Sequence, residues 1–383
     1  MIQNSKSGIK TEFQTILYGI GVLQEVVSSL GVQRLMLVVD ASFPFLNINR
    51  QVLDLKVPYV LFDQFGSNPL YEDVCKGVDL FRKHQCDAIL AVGGGSCIDV
   101  AKCIKLYCRM EPSIMYLEQE PFDSNVPLIA IPTTAGTGSE STRFAVIYYE
   151  GKKQSVNHLS IIPNYAILEP EVLRTLPEYQ KKCTAMDALC QGIESWWSLN
   201  STETSRELSR QAVRILSEKI VPYIQGTGDE ATDRHCAEEV MEAANKAGQA
   251  INITQTTAPH AFSYKLTSLY GFPHGHAVAV CLPDIWQYMI DNMGRHCIEP
   301  RGEDYLLDIF AQIAHTLGCS SPSEGVVWMR SLLDVMQLPS PVGRRRDEEI
   351  GLLTTSVNPV RLKNNPVAMD SHAIRRIYEH IVK

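Results

Sequence analysis

The feature that most constrains this chain is a change of period partway along it. Through the first half, short apolar runs alternate with amphipathic stretches. Arg34–Asp40 (RLMLVVD), Tyr59–Phe62, Ala88–Val92 and Leu128–Ile131 read as buried parallel strands, since a run apolar on both faces suits a sheet covered on both sides. Between them lie segments such as Tyr71–His84, where Val74, Val78, Leu80 and Phe81 recur at helical spacing. Strand–helix–strand alternation predicts a doubly wound parallel sheet, which binds ligands at the carboxyl ends of its strands. Near Pro170 the strands give way to long helical runs: Glu203–Tyr223, Ala231–Ala250, Glu303–Leu317 and Ser323–Met336. The expected organisation is an α/β domain over residues 1–175 and an all-helical domain over 176–383.

Charge narrows the partners. With 35 Lys+Arg against 43 Asp+Glu the net charge is −8, which argues against nonspecific nucleic-acid binding while leaving room for a local basic pocket. No apolar run reaches the length of a membrane span, and the start MIQNSKSGIKTEF lacks the basic and apolar regions of a signal peptide. The 11 cysteines are scattered without CxxC pairs; Cys97, Cys103 and Cys281 fall inside apolar patterns, where a reduced cysteine acts as a small hydrophobe. A cytoplasmic protein is expected.

Two glycine-rich segments follow strands. Gly93-Gly94-Gly95-Ser96, with Asp99 after it, opens a helix whose unpaired N–H groups suit a pyrophosphate. It is neither GxGxxG nor a GxxxxGK[ST] loop. Thr133-Thr134-Ala135-Gly136-Thr137-Gly138-Ser139-Glu140 follows another strand and brings hydroxyls and glycines to the same crevice. Asp40 ends the first strand, where a carboxylate either accepts from adenosine ribose hydroxyls, favouring NAD(H) over NADP(H), or serves as a turn or helix-cap residue.

In the helical half, Asp187 and Gln191 lie at i and i+4 on one helix face, and His260 and His274 bracket another helical segment. A carboxylate, an amide oxygen and two imidazoles make a site for one divalent metal with a position open to a carbonyl oxygen. The alternative is capping and buried, hydrogen-bonded histidines.

Taken in order, Asn68-Pro69, Gly93–Ser96 with Asp99, Thr133–Glu140, Asp187-Ala188-Leu189, His260, Pro273-His274-Gly275 and Asn365-Pro366 resemble the iron-containing (group III) alcohol dehydrogenase family over nearly the whole chain. Ser141–Tyr149, Ile251–His260 and Ser263–Gly271 resemble its phosphonoacetaldehyde-reducing branch more than the lactaldehyde, butanol or propanediol reductases. The resemblance implies a Rossmann-like N-terminal domain, a helical C-terminal domain of the dehydroquinate synthase-like type, and an active site in the cleft between them. It implies that Gly93, Gly94, Gly95 and Ser96 hold the pyrophosphate with Asp99 anchoring the loop. Asn68, Thr133, Thr134, Thr137, Gly138 and Ser139 would contact the cofactor, and Lys153 would lie near the nicotinamide ribose. Asp187, His260 and His274 match three metal-ligand positions, and Gln191 stands at the fourth, where most relatives carry histidine. The implied metal is Fe(II) or Zn(II). Tyr264 occupies the place of a second, non-ligand histidine on the proton path.

The implied reaction is NAD(P)H-linked reduction of an aldehyde, here phosphonoacetaldehyde to 2-hydroxyethylphosphonate, with the proton from water, a cofactor hydroxyl or His276. An anionic substrate needs local positive charge, for which Arg143 and Lys265 are the candidates. The alternatives are another short-chain aldehyde, a lyase or cyclase on the related fold, or a non-catalytic homologue that lost its metal through Gln191. A homodimer is expected, with no nucleic-acid or membrane partner.

Overall fold

Three apolar runs of the first half form strands buried along their whole length: Leu35–Val39, Ala88–Gly93 and Leu128–Pro132. The structure is a computed structural model that describes residues 8–383. It divides the chain into two units, Met1–Leu176 and Pro177–Lys383.

In the first unit the strands are β1 (Ile9–Lys10), β2 (Thr15–Tyr18), β3 (Leu35–Val39), β4 (Tyr59–Phe62), β5 (Ala88–Gly93), β6 (Leu128–Pro132), β7 (Phe144–Tyr149), β8 (Lys152–Asn157) and β9 (Tyr165–Leu168). Seven of them form a sheet in the order β1-β2-β9-β6-β5-β3-β4, parallel except for the antiparallel β1–β2 pair. The carboxyl ends of β5 and β6 lie side by side, Gly93 opposite Pro132, so both glycine-rich turns leave the sheet at one place. Helix Tyr71–Lys83 buries Val74, Val78 and Phe81 of the stripe its spacing predicts, while Leu80 is half-buried beside them.

One expectation needs correction. Tyr59–Phe62 is not a buried strand: β4 is a sheet edge, and Tyr59 and Leu61 are exposed while Phe62 is buried. Four apolar residues carry no sign of whether a further strand or helix covers them. The segment Phe144–Asn157 is an antiparallel hairpin, β7–β8, outside the main sheet; Glu150 and Gly151 both take positive φ at its turn.

The second unit is helical throughout its named elements, from Glu178–Trp197, Glu203–Gln225 and Glu230–Thr254 to Ser371–Ile381. Its core is built on Trp197, Trp286 and Phe310, whose ring centroids lie 5.8 to 6.2 Å apart. Among the described residues every cysteine is a free thiol, with Cys97, Cys103 and Cys281 fully buried. No helix among the described residues is long and apolar enough to cross a membrane.

Candidate metal centre and cofactor loops

In the first unit, Gly93 and Gly95 are required by close approach. A Cβ on Gly93 would lie 2.6 Å from Asp40 Oδ2, and one on Gly95 would lie 2.8 Å from Thr137 Oγ1. Gly94 N–H donates to Asp40 Oδ2 at 2.9 Å, and Thr133 N–H donates to Gly93 O at 3.1 Å. Helix Gly95–Tyr107 therefore begins against both the end of β3 and the second glycine-rich turn, with its N-terminal N–H groups at the carboxyl edge of the sheet. Ser96 Oγ donates to Ser67 O, which draws the exposed Asn68 segment to the same loop.

Asp99 and Lys102 tie this region together from inside. Asp99 Oδ1 accepts from Ser139 Oγ at 2.6 Å and Oδ2 from Val146 N–H at 2.9 Å. Lys102, fully buried, donates to Ser139 Oγ at 3.0 Å, Thr142 Oγ1 at 3.1 Å and Phe144 O at 2.8 Å. Burial lowers its pKa to about 8 against the opposing pull of Asp99 and Glu140. The sequence reading missed Lys102, although a lysine in the apolar run Cys97–Tyr107 is itself a signal of a buried partner. Asp40 combines the loop contact with an Asx turn, Oδ1 accepting from Ser42 N–H at 2.9 Å, so the turn role left open by the sequence is present. Lys153 is exposed on β8 opposite Tyr148, and Arg143 is half-buried directly before β7, its backbone carbonyl accepting from His158 N–H at 3.1 Å.

In the second unit, Asp187, His260 and His274 bring one ligand atom each to within 4.8 Å of one another. Helix Glu178–Trp197 carries Asp187 and Gln191 one turn apart, both buried. His260 sits in the first turn of helix Ala258–Tyr270, and His274 is the first residue of helix His274–His296. The two rings stand 5.2 Å apart at 70°. Asp187 Oδ1 is buried, accepts no hydrogen bond and lies 3.4 Å from His260 Nε2. Two atoms each about 2.1 Å from one ion at a tetrahedral angle are separated by about 3.4 Å, so this pair fits a shared cation. Gln191 Nε2 donates to Asp187 Oδ2 at 3.1 Å, which turns the amide so that Oε1 is the atom it can offer to a metal. The donor set, a carboxylate, an amide oxygen and two imidazoles, suits a divalent ion.

Charge agrees with that fit. Burial opposes protonation of His260, yet Glu194 and Asp187 outweigh it and raise the pKa to about 10; burial likewise opposes the charge on Asp187, whose pKa is nonetheless lowered by the two histidines and Gln191. Paired buried carboxylates thus make this pocket strongly attractive to positive charge.

The other residues fall around this cluster in different ways. Tyr264, one turn after His260, stacks on His274 at 5.8 Å and 6°. Lys265 is half-buried and about 140° around the helix from His260. His276 is buried and both ring nitrogens are engaged: Nε2 with Pro339 O at 2.9 Å, Nδ1 with Tyr179 Oη at 2.9 Å, its face against Phe272 at 4.1 Å. That is the packing role the sequence held open beside the proton-donor role. Glu194, which the sequence reading passed over, is fully buried against His260. It was findable as a lone carboxylate in the apolar run Gly192-Ile193-Glu194-Ser195-Trp196-Trp197.

Gly275 shows why Pro273-His274-Gly275 takes this form. A Cβ there would lie 2.0 Å from Cys183 O and 2.8 Å from Asp187 Cβ, so only glycine lets the His274 helix start against the Asp187 helix. Gly275→Ala is expected to displace His274, lower the melting temperature by several degrees, in keeping with the roughly 1–3 kcal/mol cost of overpacking, and reduce bound metal below one per chain. Calorimetry and metal analysis check this; unchanged melting with full metal content would contradict it.

Known proteins match both units. Residues 14–170 match the profile of the iron-containing alcohol dehydrogenase family, and residues 182–382 match the C-terminal profile of the Fe-containing alcohol dehydrogenase family. The chain is 29% identical over 307 residues to a phosphonoacetaldehyde reductase of Streptomyces viridochromogenes, covering 77% of this chain and 76% of that one. It is 28% identical over 352 residues to a choline dehydrogenase of Bacillus subtilis, covering 86% and 83%. The structure of a sulfoacetaldehyde reductase from Bifidobacterium kashiwanohense in complex with NAD+ superposes with a TM-score of 0.84 at 25% identity, over 97% of this chain and 98% of that one. The metal-directed cluster, the paired glycine-rich turns and two family profiles spanning most of the chain agree: this protein belongs to the iron-containing alcohol dehydrogenase family and is an oxidoreductase that uses a nicotinamide cofactor and a metal.

Proposed function

We propose that the protein reduces phosphonoacetaldehyde to 2-hydroxyethylphosphonate, with NADH as hydride donor. The observation that carries the substrate is Arg143: a half-buried guanidinium directly after the glycine-rich turn, its backbone pinned to His158 and its neighbour Thr142 bonded to the buried Lys102. The guanidinium lies over the Phe144 ring at 5.3 Å, and a planar fork suits phosphonate oxygens. The reductases of phosphonoacetaldehyde and sulfoacetaldehyde among its relatives both take an acetaldehyde bearing an anion, which supports this reading.

The chain's own residues divide the work. Gly93–Ser96 and the helix behind them bind the cofactor pyrophosphate, while Thr133, Thr134 and the Thr137–Ser139 turn hold its nicotinamide end. Asp187, Gln191, His260 and His274 would hold a divalent ion, Fe(II) or Zn(II), which when bound supplies Lewis acidity to the substrate carbonyl. Arg143 orients the phosphonate and fixes the carbonyl carbon for hydride transfer. Since both nitrogens of His276 are engaged, the product oxygen takes its proton from water or a cofactor hydroxyl.

A second reading is favoured by one relative: sulfoacetaldehyde as substrate, with the same anion-binding role for Arg143. The test is NADH oxidation by enzyme reconstituted with Fe(II) or Zn(II), offered phosphonoacetaldehyde, sulfoacetaldehyde, lactaldehyde, butanal and acetaldehyde. The expected result is the highest kcat/KM for phosphonoacetaldehyde. A higher value for sulfoacetaldehyde would shift the assignment, and a preference for the neutral aldehydes would overturn it.

A further inference from the structure

Glu194 lies on the same helix as Asp187 and Gln191, one turn beyond Gln191, and is fully buried. An ionised carboxylate survives such burial only when its oxygens are hydrogen-bonded. One oxygen is fully supplied: Oε2 accepts from Thr257 N–H at 2.6 Å and Thr257 Oγ1 at 2.9 Å. Thr257, itself buried, is the residue preceding helix Ala258–Tyr270, and its hydroxyl accepts in turn from Trp197 Nε1 at 2.9 Å. The other oxygen, Oε1, lies 2.5 Å from His260 Nδ1.

A carboxylate only accepts, so the proton in that last contact sits on Nδ1. We propose that Glu194 is a positioning residue for the metal centre, holding the Nδ1 proton of His260 so that the ring is fixed with Nε2 presented beside Asp187 as the ligand atom. The same carboxylate caps the start of the helix that carries His260, so ring rotation and helix position are set by one group. Carboxylate–histidine pairs of this kind orient metal ligands and raise their donor strength.

The inference concerns the metal site alone and does not depend on which aldehyde is reduced. Glu194→Gln keeps the shape. If its amide oxygen keeps the two Thr257 donors, its NH2 faces Nδ1, which must then accept, moving the proton to Nε2, the ligand atom. Chelator-competition titration with Zn(II) is expected to show affinity weakened 10- to 100-fold, with NADH affinity unchanged. A purely structural role would lower the melting temperature of the metal-free protein and leave Zn(II) affinity as in the wild type, and that outcome overturns the proposal. Should the variant fail to fold, the wild type decides the question. In the Zn(II)-loaded, 15N-histidine-labelled protein, with His260 assigned by its absence in His260→Asn, the proton is expected on Nδ1. A His260 with no proton on Nδ1 overturns the proposal.

Discussion

Asp187→Ala is expected to leave a folded protein that binds NADH but holds no stoichiometric metal and reduces aldehydes at least about 10³-fold more slowly. The reasoning starts from the carboxylate's position. Its Oδ1 lies 3.4 Å from His260 Nε2 and its Oδ2 accepts from Gln191 Nε2 at 3.1 Å, so it is placed both to offer a ligand atom and to orient a second one. Removing it deletes the one negative ligand of the set, and the remaining amide and imidazoles are weaker anchors for a divalent cation. Lewis-acid assistance contributes several kcal/mol, and at about 1.4 kcal/mol per tenfold this corresponds to two to four orders of magnitude. The glycine-rich loops proposed to bind the cofactor lie wholly in the first unit, so NADH binding serves as the internal control. Metal analysis after anaerobic purification, NADH fluorescence and kcat/KM with Fe(II) or Zn(II) added make the measurement. One metal per chain with near wild-type turnover would remove Asp187 from the site.

Arg143→Ala is expected to lower kcat/KM for phosphonoacetaldehyde by roughly 10²-fold and that for acetaldehyde by less than threefold. Hydrogen bonds to a charged group contribute about 1.5–3 kcal/mol each, and the upper figure matches a hundredfold change. The ratio between the two substrates is what matters. Arg143 adjoins Thr142, part of the Lys102 network, so a general disturbance of the cofactor loop would depress both aldehydes equally. An equal loss would make Arg143 a loop-supporting residue. Unchanged selectivity with full activity would leave the phosphonate without a binding group, since Lys265 points to a different helix face from His260. Arg143→Lys should restore only part of the preference, because an ammonium cannot reproduce a two-point contact.

Local signals carried much of the fold. The runs at Leu35, Ala88 and Leu128 were legible because strands buried on both faces are apolar without interruption. The helical half was legible through its period. What failed was decided by neighbours: Tyr59–Phe62 looks like its sister strands, and only its place beside β3 with nothing beyond makes it an edge. The hairpin Phe144–Asn157 escaped because Lys152-Lys153-Gln154-Ser155 carries no apolar pattern, its pairing being supplied by the partner strand.

The candidate site divides along the same line. Asp187 and Gln191 are close because a helix turn makes them so, a relation the spacing alone determines. The glycines Gly93, Gly95 and Gly275 are likewise visible as types, though the reason for each is a contact with a distant segment: Asp40, Thr137 and Cys183. By itself, then, the sequence determined the period of each half, the residue types of a divalent-metal site and the family to which they belong. Only the tertiary structure decided that His276 is spent on Pro339 and Tyr179, and that Lys102, Asp99 and Ser139 form one buried network. It also decided that Glu194 backs His260 across an interval of 66 residues. The physical reason is that a ligand's identity is a property of one side chain. Its tautomer, charge and orientation are set by partners that packing brings together and that no local pattern announces.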